Sequence, residues 1–205
     1  MTIRLGLVDD HPVVIGGLEA GLNEIPDFEV VARAGRIAEA EAMLARQDID
    51  VVLLDVRLSD GNTLQLLGRL DRGPRPAVIV LSSFRTSQYV GVAIKFGAQG
   101  FLLKTTPIEE LVDAIRRVAA GGSSFTAEQL RAGRGGYVSL TERERDVLRL
   151  VLAGHTNDEI SVRLHTSRKT IESHLSRLYE RYGVMSRLEL GLRAEREGWL
   201  DVDPG

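Results

Sequence analysis

The chain has 205 residues, 43% apolar and 27% charged, which is enough apolar material for one large packed core or two small ones. It contains no cysteine, which excludes disulfides, thiolate metal sites and cysteine nucleophiles, and no stretch approaches the roughly 20 apolar residues of a membrane span. The net charge of −3 is unevenly spread: residues 1–120 hold 13 basic and 16 acidic side chains, whereas residues 163–187 hold six basic and two acidic ones. The first residues also lack a basic-then-apolar signal pattern, so the expectation is a protein of the reducing cytoplasm with no membrane partner.

In chain order, strand-like apolar runs occur at Ile3–Val8, Glu29–Ala34, Val51–Asp55, Ala77–Leu81 and Gly100–Leu103. Helix-like segments alternate with them at Pro12–Glu24, Ile37–Arg46, Leu64–Leu70, Ser87–Phe96 and Pro107–Ala120. The last is the clearest, with proline at its start, two glutamates in its first turn and an apolar stripe of Ile108, Leu111, Val112, Ile115 and Val118. Strict alternation with nearly continuous apolar strands predicts a parallel sheet buried on both faces by helices.

The pattern ends at residues 121–138, where five glycines and two serines in 18 residues read as a flexible linker, with one helical turn around Ala127–Arg131. Four helix starts follow. Thr141/Glu144, Thr156/Glu159 and Ser186/Glu189 have the spacing of a capping box, and Ser167 can cap the remaining helix. Gly154, Gly183 and Gly198 fall where helices end. The expected organisation is an α/β domain over 1–120, a linker over 121–138 and an all-α domain of four helices over 139–200.

In an open parallel sheet, ligands bind beyond the carboxyl ends of the strands. Those ends carry Asp9-Asp10, Asp55, Ser82-Ser83 and Lys104. Singly, each has a simpler reading: an acid can cap the next helix, a serine can close a turn, and a lysine can be a solvated surface charge. Together they place three carboxylates, a hydroxyl and an ammonium on one edge. Clustered carboxylates repel and raise one another's pKa values, and a hard divalent cation resolves the conflict, with Mg²⁺ suiting a site of few carboxylates and some water. A carboxylate beside Mg²⁺ and lysine is also equipped to accept a phosphoryl group.

The stretches "LVDDHP", "LLDVRLSDG", "VLSS" and "GFLLK" resemble, in that order and spacing, the motifs of bacterial response-regulator receiver domains, over residues 3–120. The resemblance implies a flavodoxin-like (βα)5 domain in which Asp55 takes a phosphoryl group from a partner histidine kinase. It further implies that Asp9, Asp10, Asp55 and the backbone carbonyl of Arg57 hold Mg²⁺. Lys104 and Ser82 would then bind phosphoryl oxygens, and Phe101 would move with Ser82. Ser59 and Thr105 stand where relatives usually have proline, and the bulky Arg57 and Phe84 are expected to restrict water around the phosphoryl group.

In the last third, Ile171, Leu175, Leu178 and Tyr182 share one face of the helix opened by Ser167. The opposite face is polar, and a short helix at Asn157–Leu164 precedes it through a tight turn at His165-Thr166. This pair suits a DNA-binding helix-turn-helix, although geometry alone also suits a solvated amphipathic helix in any small bundle. The whole stretch "LTERERDVLRLVLAGHTNDEISVRLHTSRKTIESHLSRLYERYGVMSR" is similar to the LuxR-type domain of the NarL/FixJ response regulators. That similarity implies phosphate contacts by Arg168, Lys169, Thr170 and Arg177, and base-edge contacts by Glu172, Ser173 and Ser176. It also implies that Arg187–Glu197 is a dimer contact. His174 is expected to pack or to meet a phosphate.

The function expected is therefore a two-component response regulator, not an enzyme, that is phosphorylated on Asp55, forms a homodimer and binds double-stranded promoter DNA. An alternative on the same fold is an orphan regulator that binds DNA without phosphorylation. A Mg²⁺-dependent aspartyl-phosphate phosphohydrolase is a more distant one, because position 57 is arginine rather than an acid and residues 121–138 are too few for a substrate cap.

Overall fold

The computed structural model describes residues 2–69, 76–83, 87–134 and 140–200. The chain divides between Tyr137 and Val138 into two compact units.

In the first unit the strands β1 (Ile3–Val8), β2 (Phe28–Ala34), β3 (Val51–Asp55), β6 (Ala77–Ser82) and β7 (Gly100–Leu103) form one sheet in the order β2-β1-β3-β6-β7. All neighbouring pairs are parallel. A hairpin of β4 (Arg57–Leu58) and β5 (Gly61–Asn62), not anticipated from the sequence, follows β3. The helices between strands are α1 (Pro12–Asn23), α2 (Ile37–Leu44), α3 (Thr63–Arg69), α4 (Ser87–Lys95) and α5 (Ile108–Ala119). The strands alternate between two buried faces. Leu5, Leu7, Val51, Leu53, Ile79 and Leu81 pack with Leu111, Val112, Ile115 and Val118 of α5, while Val52, Leu54, Val78 and Val80 are equally buried on the other side. Gly6 permits a close approach there: a Cβ on it would stand 2.5 Å from Met43 Sδ of α2.

Residues 121–134 do not behave as the expected flexible linker. Ser124 bridges to Gly100 at the sheet edge, its amide donating to Gln99 O at 2.7 Å. The following helix α6 (Ala127–Arg134) is longer than the single turn anticipated, and Gln129 Nε2 donates to Phe101 O at 2.9 Å. Backbone groups left open along the outer edge of β7 give this stretch partners that glycine content alone does not reveal.

The second unit consists of α7 (Glu142–Leu152), α8 (Asn157–Arg163), α9 (Arg168–Tyr182) and α10 (Arg187–Glu197). Its core joins Leu140, Val147, Leu148, Val151, Ile160, Ile171, Leu175, Leu178, Leu190, Ala194 and Trp199. Thr141/Glu144 and Thr156/Glu159 make complete capping boxes. Ser186 accepts from Glu189 N, but the Glu189 carboxylate receives the amide of Met185 instead of that of Ser186, so the third box is half made. Gly154, Gly183 and Gly198 have φ of 82°, 61° and 68°, the left-handed conformation that ends a helix. No helix among the described residues is long and apolar enough to cross a membrane.

Candidate functional site

Strand register brings the charged residues of the first unit together. Val8 of β1 pairs with Leu54 of β3, which sets Asp9 beside Asp55 just past the switch in strand order. Asp55 pairs with Leu81, and Ser82 pairs with Leu103, so Ser82 and Lys104 close the same edge. Asp9, Asp55 and Ser82 are buried at 5%, 6% and 2% exposure, in contrast to the solvated acids of an ordinary strand end.

Lys104 Nζ lies 2.5 Å from Asp9 Oδ2 and 2.7 Å from Asp55 Oδ2, bridging both buried carboxylates. Burial pushes the Asp55 carboxyl up, and the hydrogen bond from Lys104 offsets part of that. Repulsion from Asp9 is a smaller contribution, so desolvation rather than the crowding expected from the sequence is the main cause. Burial pulls the Lys104 ammonium down, but its bonds to Asp55 and Asp9 outweigh that and hold it above the usual lysine range.

Asp10 is less buried. Its Oδ2 accepts the Ser59 amide at 2.7 Å, and its Oδ1 is buried without a hydrogen bond. His11 Nδ1 stands 2.9 Å from that Oδ1 and 2.9 Å from Asp9 Oδ1, a contact that becomes an ion pair only when the imidazole is charged. One ligand atom from each of Asp9, Asp10, His11 and Asp55 falls within 4.8 Å of the others. A mainly oxygen donor set with an orphaned carboxylate oxygen fits a hard divalent cation.

Thr63 is a residue the sequence reading missed. It is fully buried, and its hydroxyl donates to the carbonyls of Asp55 and Val56, fixing the start of α3 to the end of β3. A hydroxyl just after the Asp60-Gly61 turn was the only hint available. Arg57 carries its guanidinium to α4, where Nε donates to Tyr89 Oη at 3.1 Å. Phe101 is buried at 1% exposure, and Phe84 lies outside the described residues.

In the second unit, α9 buries Ile171, Leu175 and Leu178 and leaves Arg168, Lys169, Glu172, Ser173, Ser176 and Arg177 exposed. Tyr182, grouped with the apolar face, is half-buried, its ring 4.5 Å from that of Trp199. Ser167 caps the helix through Thr170 N, and its Oγ also meets Thr170 Oγ1 at 2.8 Å, so this threonine hydroxyl already serves the cap. The turn before α9 uses His165 at φ 49°, a left-handed residue that reverses the chain in one step. Arg168 is held by Asp158 at 3.1 Å and Glu172 at 2.9 Å. Thus one residue assigned to phosphates and one assigned to bases are paired with each other. His174 is half-buried.

A buried carboxylate cluster joined to lysine in one unit, and an exposed basic helix behind a tight turn in the other, suit the class of signal-receiving DNA-binding proteins. The family model of the response regulator receiver domain matches residues 5–116, and that of the luxR family of bacterial regulatory proteins matches residues 138–194. The transcriptional regulatory protein UhpA of Salmonella typhimurium is 38% identical over 200 residues, covering 96% of this chain and 100% of its own. The DNA-binding transcriptional activator DevR/DosR of Mycobacterium tuberculosis is 35% identical over 203 residues, covering 94% of both chains. Among solved structures, the response regulator ChrA of a heme-sensing two-component system is 29% identical, with a TM-score of 0.56 over 97% of this chain and 98% of its own. RcsB of Salmonella enterica serovar Typhimurium, 23% identical with a TM-score of 0.71 over 98% of both chains, shares the fold. The chain belongs to the NarL/FixJ family of two-component response regulators, with a receiver domain followed by a LuxR-type DNA-binding domain.

Proposed function

We propose that Asp55 accepts a phosphoryl group from the phosphohistidine of a partner kinase, and that the phosphorylated chain dimerises and binds promoter DNA. The observation that carries this is the Lys104 ammonium bridging Asp55 and Asp9 at the buried strand edge. In the transfer, an Asp55 carboxylate oxygen bonds to phosphorus while the phosphorus–nitrogen bond of the donor imidazole breaks. Lys104 is within reach of the new phosphoryl oxygens and balances their charge, and Ser82, next to it on β6, offers a hydroxyl. Mg²⁺, held by the carboxylates of Asp9, Asp10 and Asp55 and by the Arg57 carbonyl, would supply the remaining positive charge. Gln129 bonds the carbonyl of Phe101, so a shift of Phe101 with Ser82 would be felt by α6.

On DNA, Lys169, Arg177, Thr170 and Arg168 would hold phosphates, while Glu172, Ser173 and Ser176 face the bases. Arg168 must exchange Asp158 and Glu172 for phosphate to do so. Leu188 and Leu192, at 72% and 59% exposure, give α10 the apolar surface a dimer contact needs. A regulator that binds promoter DNA would act in the cytoplasm.

The direct test is labelling of the chain by a small acyl-phosphate donor with Mg²⁺, followed by site mapping. Asp55→Asn is expected to fold and to take no label. Undiminished labelling of that variant would contradict the assignment.

A further inference from the structure

Arg33, Arg46 and Arg116 each turn Nε and Nη2, the side edge of the guanidinium, to both oxygens of a single carboxylate, those of Glu19, Asp48 and Asp27. Arg168 is held differently. Its Nε donates to Glu172 Oε1 at 2.9 Å, one turn further along α9, while its Nη1 donates to Asp158 Oδ2 on α8 at 3.1 Å. A guanidinium grips a phosphate with two parallel N–H groups, either Nε with Nη2 or Nη1 with Nη2. Glu172 takes one donor of the first edge, and Asp158 takes one donor of the second. Neither edge can be turned to a phosphate until a carboxylate leaves.

The surrounding charges favour this arrangement. Arg168 stands at the N-terminus of α9, where the helix dipole disfavours a cation, and Asp158 in the first turn of α8, where it favours an anion. The two carboxylates hold the guanidinium above the usual arginine range, with the Glu172 bond contributing most. The side chains of Arg168, Asp158 and Glu172 are 61%, 68% and 48% exposed, so the pairs are weak enough to give way to DNA. Among the described residues, Lys169 and Arg177 have no such partner. We propose that Asp158 is an internal competitor of the DNA backbone: it occupies Arg168 in place of a phosphate and so lowers the affinity of α9 for DNA. The proposal rests on the reading of α9 as the helix that faces DNA. A phosphate must displace Asp158 to win the Nη1–Nη2 edge, so the contact yields less than a solvated arginine would give. The released Asp158 also takes up a cation from solution, which cancels part of the counterion release that drives binding.

The test is the anisotropy of a labelled duplex of arbitrary sequence, titrated with the full chain over a salt series with the acyl-phosphate donor and Mg²⁺ present. Asp158→Ala is expected to bind about two- to fivefold more tightly than the wild type at low salt, the worth of one exposed ion pair. Its slope of log affinity against log salt should steepen by up to about one. In an Arg168→Ala background the same substitution should gain little. An equal gain in both backgrounds would mean that Asp158 acts by its own charge on the DNA, and would overturn the proposal. Unchanged binding of Asp158→Ala would overturn it too, and weaker binding would show instead that Asp158 orients Arg168 toward the phosphate. Lys169→Ala separates the competition from the docking of α9. If neither Lys169→Ala nor Asp158→Ala changes affinity, the docking itself is wrong. If Lys169→Ala weakens binding and Asp158→Ala gains nothing, the competition falls while the docking stands.

Discussion

At the scale of single residues, the environment of Asp55 decides its chemistry. A carboxyl held above its usual range by burial favours the fold fully below its unfolded pKa, and that contribution is lost as pH rises through the folded value. At neutral pH and without divalent cations, the ionised Asp55 therefore costs stability, and Asp55→Asn should melt roughly a few degrees higher than the wild type. Thermal unfolding in EDTA at pH 7 checks this; a lower melting temperature would mean that the Lys104 bridge outweighs desolvation. Thr63 acts in the opposite sense. Its hydroxyl joins the carbonyls of Asp55 and Val56 in a dry setting, so Thr63→Val should cost about 1–3 kcal/mol in denaturant unfolding. The acids and Lys104 were legible in the sequence because each ends an apolar run. Thr63 and the Arg57–Tyr89 bond were not, because each needs a partner from another element, and His11 was passed over although its partners Asp9 and Asp10 are its neighbours in sequence.

At the scale of elements, local signals were read well wherever the physics is local. The caps at Thr141, Thr156 and Ser167 and the left-handed glycines at 154, 183 and 198 are set within a few residues of each helix end. The misreadings arose where a distant element supplied the partner. Residues 121–138 looked like linker by composition, but within them the edge of β7 offers Ser124 and Gln129 hydrogen bonds that no window along the chain contains. In α9 the polar face was legible, yet the pairing of Arg168 with Asp158 comes from the preceding helix. That pairing separates two outcomes on DNA. Lys169→Ala should weaken binding to all sequences and lower the slope of log affinity against log salt by about one. Glu172→Ala should change sequence preference, and it also frees Arg168 from one partner, so its non-specific affinity should rise slightly. Filter-binding or anisotropy measurements across a salt series resolve both. Unchanged non-specific binding in Lys169→Ala would contradict the docking of α9.

At the scale of the whole molecule, the chain joins a unit whose buried edge is suited to phosphoryl chemistry to a unit whose exposed helix is suited to DNA. The division was visible in the sequence as the change from alternating strand and helix to helix alone, although the structure sets the boundary at Tyr137 and Val138, after α6. Phosphorylation of Asp55 is proposed to govern both assembly and DNA binding. The most direct test measures mass by light scattering and affinity for promoter DNA, with and without a small acyl-phosphate donor and Mg²⁺, in the wild type and Asp55→Asn. The donor is expected to shift the wild type toward a dimer and to raise its affinity for promoter DNA about tenfold or more, and to leave Asp55→Asn unchanged. Equal mass and equal DNA affinity of the wild type in both conditions, with Asp55 shown to be phosphorylated, would contradict it.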